Sequence, residues 1–165
     1  GFPSSWYQSL NPLVIIIFAP VFAWLWITMG PRQPASPTKF SIGLVGVGLG
    51  FLLLVPAARI NAGGALVSPV WLVSAYLIHT FAELCLSPVG LSSMTKLAPA
   101  RIVSLMMGVW FLAASVGNFL GGQAAAFYES LPLARLFGFV ALLPVIAGVA
   151  MFLYRRRLTE LIGDT

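Results

Sequence analysis

Five long apolar stretches, at about 6–29, 40–58, 70–99, 103–128 and 133–154, leave this chain few ways to fold. Each reaches, or comes within a residue or two of, the roughly 20 residues that cross a bilayer as a helix. In lipid only helices and closed barrels satisfy their own backbone. Strict apolar/polar alternation is absent, which predicts an all-α, polytopic transmembrane bundle of five helices. The charge content agrees: 8% of the residues are charged and 59% are hydrophobic, against about 25% charged in a soluble domain.

The segments between the stretches carry turn and stop residues: Gly30-Pro31-Arg32-Gln33-Pro34, Arg59 to Gly64, Pro99-Ala100-Arg101 and Glu129-Ser130-Leu131-Pro132. The net charge of +5 does not point to nucleic acid, because the basic residues cluster at span ends. Sorted by side, Arg32, Lys39, Lys96, Arg101, Arg155, Arg156 and Arg157 fall together, and Arg59 and Arg135 fall opposite. By the positive-inside rule the first group is cytoplasmic, so residues 155–165 form a cytoplasmic tail and Gly1 lies outside. Odd parity and the missing initial Met predict that helices preceding Gly1 belong to the parent protein. Cys85 is the only cysteine, which rules out an internal disulfide and a thiolate metal cluster.

Glu83 is the one acidic residue between Gly1 and Tyr128. A carboxylate at that depth costs about 2.5–3.5 kcal/mol, and such groups commonly mark ion, proton or substrate pathways. A carboxyl satisfied by local hydrogen bonds is the alternative.

Two blocks of residues carry a family resemblance. The first is Trp6-Tyr7-Gln8-Ser9-Leu10-Asn11-Pro12 with Phe18-Ala19-Pro20 and Leu25-Trp26. The second is Glu83-Leu84-Cys85-Leu86-Ser87-Pro88-Val89-Gly90-Leu91-Ser92, then Thr95-Lys96-Leu97-Ala98-Pro99 and Met106-Met107-Gly108-Val109-Trp110-Phe111-Leu112. Together they resemble the C-terminal half of the proton-dependent oligopeptide transporters, the peptide branch of the major facilitator superfamily. The resemblance implies helices eight to twelve of a twelve-helix peptide/proton symporter of the plasma (inner) membrane. The partners would be di- or tripeptides, protons, the bilayer and the remaining helices of the same transporter. No cofactor is implied.

The resemblance also assigns residues. Glu83 matches the glutamate tied to proton coupling and peptide binding. Asn11 matches an asparagine that contacts the peptide; a side chain that only bonds carbonyls freed by Pro12 is the alternative. Gln8, one turn earlier, shares that face. Trp110 matches a cavity tryptophan that packs against substrate side chains, with an interfacial tryptophan as the alternative. Ala113 and Ala114 stand where some relatives have serines near the peptide carboxylate; Ser115 follows on a different face.

Ser87, four residues after Glu83, can reach its carboxyl or serve an ordinary helix contact. Asn118 lines the cavity or stitches two helices. His79, one turn before Glu83, reads as a polar side chain satisfied within the bundle rather than a proton relay. Gly46/Gly50 and Gly117/Gly121 are small-xxx-small pairs that allow close helix packing. No metal site is expected, because His79 and Glu83 supply too few ligands. A carrier of another solute in the same family, or an accessory membrane protein without transport, remains the alternative to peptide uptake.

Overall fold

The computed structural model describes residues 9–127 and 130–162. Among these residues it is a bundle of α-helices: α1 Leu10–Met29, α2 Ser36–Ala62, α3 Val70–Leu97, α4 Val103–Ala126 and α5 Leu133–Ile162. Each is long and apolar enough to cross a membrane, so the chain is a multi-pass membrane bundle, as the sequence predicts.

The helix ends differ from hydropathy alone in ways local chemistry explains. α1 stops at Gly30, whose φ of +49° suits a residue without Cβ; a 3-10 turn, Gly30–Arg32, follows. α2 begins four residues before the apolar run, at Ser36-Pro37. Proline is tolerated there because first-turn N–H groups have no intrahelical acceptor. α2 also runs past Arg59 to Ala62, and Gly64 at φ +81° turns the chain toward α3. α3 ends at Leu97, where Ala98 is extended as Pro99 demands of the residue before it.

The largest difference is at the C-terminus. The segment read as a tail from residue 155 continues α5 to Ile162. No Gly or Pro interrupts Arg155 to Ile162, and Arg, Leu and Glu are good helix formers. The Arg155 guanidinium donates to the Phe152 carbonyl at 2.8 Å, and the Thr159 hydroxyl donates to the Arg155 carbonyl at 2.8 Å.

α2 is the centre of the bundle, packed between α3 and α5. Its glycines make this possible. A Cβ at Gly43 would lie 2.8 Å from the Ala82 carbonyl oxygen of α3, and one at Gly48 would lie 2.9 Å from the Ala141 carbonyl oxygen of α5. Polar stitches hold both interfaces. The buried Ser41 hydroxyl donates to the Gly148 carbonyl of α5 at 2.7 Å. His79 Nε2 lies 3.1 Å from the Val47 carbonyl of α2, and its ring packs on Phe51 with centroids 4.6 Å apart. Since a carbonyl only accepts, Nε2 carries the hydrogen.

α1 packs on α3 through Phe18 and Phe22, whose rings meet Phe81 at centroid separations of 5.0 and 5.8 Å. α4 touches the bundle only along α3 among the helix pairs with substantial contact, and none of its residues is buried. A Cβ at Gly117, Gly121 or Gly122 would meet nothing within 4 Å. The packing role expected for Gly117/Gly121 is therefore not exercised within this chain, because no described helix lies against that face.

The Ser41 stitch gives a first prediction. Ser41→Ala removes the donor and leaves the Gly148 carbonyl without it. It is expected to cost about 1 kcal/mol, seen as a lower midpoint in thermal unfolding of the detergent-purified chain. An unchanged midpoint would show that the bond adds nothing net.

Candidate functional site

The α1–α3 interface brings together the two residues the sequence marks most strongly. Asn11, Val14, Phe18 and Phe22 recur at the three- and four-residue spacing of one helix face, and Phe18 and Phe22 seat that face on Phe81. This places Asn11, in the first turn of α1 as described, beside the middle of α3. Asn11 Nδ2 donates to Glu83 Oε2 at 3.1 Å and to the Thr80 hydroxyl oxygen at 3.3 Å. The amide is thus committed to α3, not to carbonyls freed by Pro12.

Glu83 itself is exposed in this chain. It projects from α3 on an open face, with the Asn11 amide as its hydrogen-bond donor among the described residues. A carboxylate and an amide oxygen presented together form an acceptor pair, suited to a ligand that brings N–H donors or positive charge.

Thr80 is the residue that sequence reading missed. It is 0% exposed, and its hydroxyl donates to the Tyr76 carbonyl of its own helix at 2.8 Å. Its signal was available: a polar side chain three residues before Glu83 shares that side of an otherwise apolar helix.

The other predicted residues are placed differently. His79, despite its four-residue spacing, is turned onto α2 and bonds Val47; it serves as a helix stitch. Ser87 is half-buried and makes no hydrogen bond to Glu83. Trp110 lies over Gly90 of α3, where an added Cβ would strike its ring, and meets Phe40 edge-on at 6.3 Å. Gly90 is seven residues beyond Glu83, so Trp110 is held two turns, about 10 Å, along the same face of α3. It is a wall of the same surface rather than a member of the hydrogen-bonded pair.

Ser115 donates to the Phe111 carbonyl of α4 at 3.0 Å. Asn118 is exposed on α4 and makes no interhelical hydrogen bond among the described residues. Gln8 lies outside the described residues.

A cleft of about 690 Å³ opens between the C-terminal parts of α1 and α3 and the start of α2, lined by Phe22, Trp26, Lys39, Pro88 and Lys96. It contains neither Asn11 nor Glu83. Lys39 there lies 4.6 Å over the Trp26 ring and donates to Gln33 at 2.8 Å. The Asn11–Glu83 pair is the better candidate site, because it places a carboxylate and an amide together at the expensive depth of a span.

Known proteins share part of this sequence and its arrangement of helices. The chain is 47% identical over 150 residues to the uncharacterized transporter YclF of Bacillus subtilis, covering 91% of this chain and 30% of that protein. It is 34% identical over 160 residues to a di-/tripeptide transporter of Lactococcus lactis subsp. cremoris, covering 97% of this chain and 32% of that protein. A solved peptide transporter, a single-substitution variant in complex with alafosfalin, matches with a TM-score of 0.88 at 42% identity, over 97% of this chain and 33% of its own. The chain thus spans about a third of the length of these relatives. The sequence profile of the POT family matches residues 1–140, and the chain belongs to that family.

Proposed function

We propose that this chain is the C-terminal portion, helices eight to twelve, of a proton-coupled transporter of di- and tripeptides in the plasma (inner) membrane. The observation that carries the reading is the Asn11–Glu83 hydrogen bond of 3.1 Å on an open face of two membrane-spanning helices. Glu83 would bind and release the coupled proton. Asn11 and Glu83 would hold the peptide backbone or terminus, and Gln8 would assist them. Trp110, two turns away, would meet substrate side chains. Ser87, Ser115 and Asn118 would line the surrounding surface. The distribution of Lys and Arg supports a cytoplasmic C-terminus.

The chemistry suits the task. A transporter cycles its carboxyl between an environment that favours the proton and one that favours the charge. Glu83 is exposed on a face that no described helix covers, where substrate and a second helical half could change its surroundings. Alternating access rocks such halves about a site near the midplane.

The test is labelled dialanine uptake into proteoliposomes holding the full-length protein that carries this chain. Uptake is expected to accumulate peptide with an inward proton gradient and only to equilibrate without one. The five-helix chain alone is expected to give no accumulation, since half of the site's walls are absent from it. Failure of folded full-length protein to take up any di- or tripeptide would sink the peptide assignment and leave another solute.

A further inference from the structure

We propose that Thr80 is a positioning residue that keeps the Asn11 amide in one orientation whether or not Glu83 carries a proton. This rests on reading the chain as part of a peptide transporter.

An asparagine amide has an NH2 end and an oxygen end, and its partners decide which way it points. While Glu83 is ionised it can only accept, so it holds the NH2 end toward itself. Once protonated, its carboxyl also has a hydrogen to give, and the amide oxygen becomes an equally good partner. Glu83 alone would then let the amide flip each time the proton binds, presenting NH2 to the substrate where an oxygen had been.

Thr80 removes that freedom. Its single hydroxyl hydrogen is donated to the Tyr76 carbonyl at 2.8 Å, as threonines in helices commonly do. While that bond holds, its oxygen can only accept, and it accepts from Asn11 Nδ2 at 3.3 Å. Nδ2 has two hydrogens, one for Thr80 and one for Glu83, so the amide oxygen is left for the substrate in both protonation states. A flip would set that oxygen against the lone pairs of a side chain that is 0% exposed, or draw its hydroxyl hydrogen away from the Tyr76 carbonyl, and either outcome costs a hydrogen bond.

The groups around Glu83 leave this lock without a competitor among the described residues. α1 and α4 carry no titratable side chain. α2 carries Lys39 and Arg59 near its two ends. On α3 itself are Tyr76, His79, Cys85 and Lys96, and His79 is turned onto Val47 of α2.

The experiment compares Thr80→Val, which keeps the shape and loses the hydroxyl, with Thr80→Ser, which keeps the hydroxyl. Both are made in the full-length protein. The reading is the half-saturation concentration of dialanine in exchange, with equal pH on both sides of the liposome, stepped from alkaline to acid. The ratio of Val to Ser variants is expected near one at alkaline pH and to rise about three- to tenfold in acid, the worth of one hydrogen bond. The maximal exchange rate is expected to stay the same. Titration of His79 is common to both variants and cancels in the ratio. In an Asn11→Ala background the acid rise is expected to vanish, because no amide remains to orient.

A ratio that is flat with pH, or a rise that persists without Asn11, would overturn the role while leaving the transporter reading intact. Absence of peptide exchange by folded wild type would overturn both. Should Thr80→Val not fold, Thr80→Ala supplies the same comparison.

Discussion

Glu83→Gln in the full-length protein is expected to abolish proton-driven accumulation of dialanine while sparing peptide exchange. Glutamine keeps the length and planar end of glutamate, and its oxygen still accepts the bond that Asn11 Nδ2 now gives at 3.1 Å. The geometry of the hydrogen-bonded pair therefore survives. What disappears is a group that can take up and release a proton.

The size of the loss follows from the driving force. One charge moving through 100 mV is worth about 2.3 kcal/mol, and about 1.4 kcal/mol is a factor of ten, so one coupled proton supports roughly fiftyfold accumulation. The variant is expected to equilibrate, with inside and outside concentrations equal, whatever gradient is imposed. Glu83→Ala separates the two roles further. It removes the acceptor as well, so exchange should weaken along with accumulation. Accumulation by Glu83→Gln at the wild-type level would remove Glu83 from coupling.

Much of this candidate site is legible in the sequence. A lone carboxylate in a span is conspicuous because its cost is large, and an amide preceding a proline in another span is nearly so. The five-helix architecture follows from the same physics, since lipid leaves no other way to satisfy the backbone. The pairing of Asn11 with Glu83 was not readable from residue spacing within either helix. It depends on Phe18 and Phe22 seating α1 on Phe81, a contact between positions about sixty residues apart.

His79 shows the opposite limit. Its four-residue spacing from Glu83 permits a shared face, yet the close approach at Gly50 admits the His79 ring to α2, where Val47 and Phe51 hold it. Thr80 escaped notice because a threonine in an apolar helix usually satisfies itself on its own backbone. Thr80 does so, and its remaining acceptor is what reaches Asn11.

Glycines were the least legible of all, and they yield the second large effect. Gly43→Val is expected to disrupt the bundle, whereas Gly117→Ala is expected to leave it unchanged in the chain described here. In sequence both lie in apolar, glycine-rich runs. In the fold, a Cβ at Gly43 would approach the Ala82 carbonyl oxygen to 2.8 Å, and one at Gly117 would meet nothing within 4 Å. The obstacle at Gly43 includes backbone, which no rotamer change can move. Valine there must drive α2 off α3, separating His79 from Val47 in the process.

Overpacking of this kind costs about 1–3 kcal/mol even where side chains can adjust, and a backbone clash belongs at the upper end or beyond. Unfolding midpoints of the detergent-purified chain should therefore fall steeply for Gly43→Val. For Gly117→Ala they should stay within about 0.5 kcal/mol, the range of surface substitutions. Trimming Leu86 to Ala in the Gly43→Val background is expected to restore little, because the Ala82 carbonyl remains in the way. Full rescue by that trim would mean that side-chain crowding, rather than backbone approach, sets the spacing of α2 and α3.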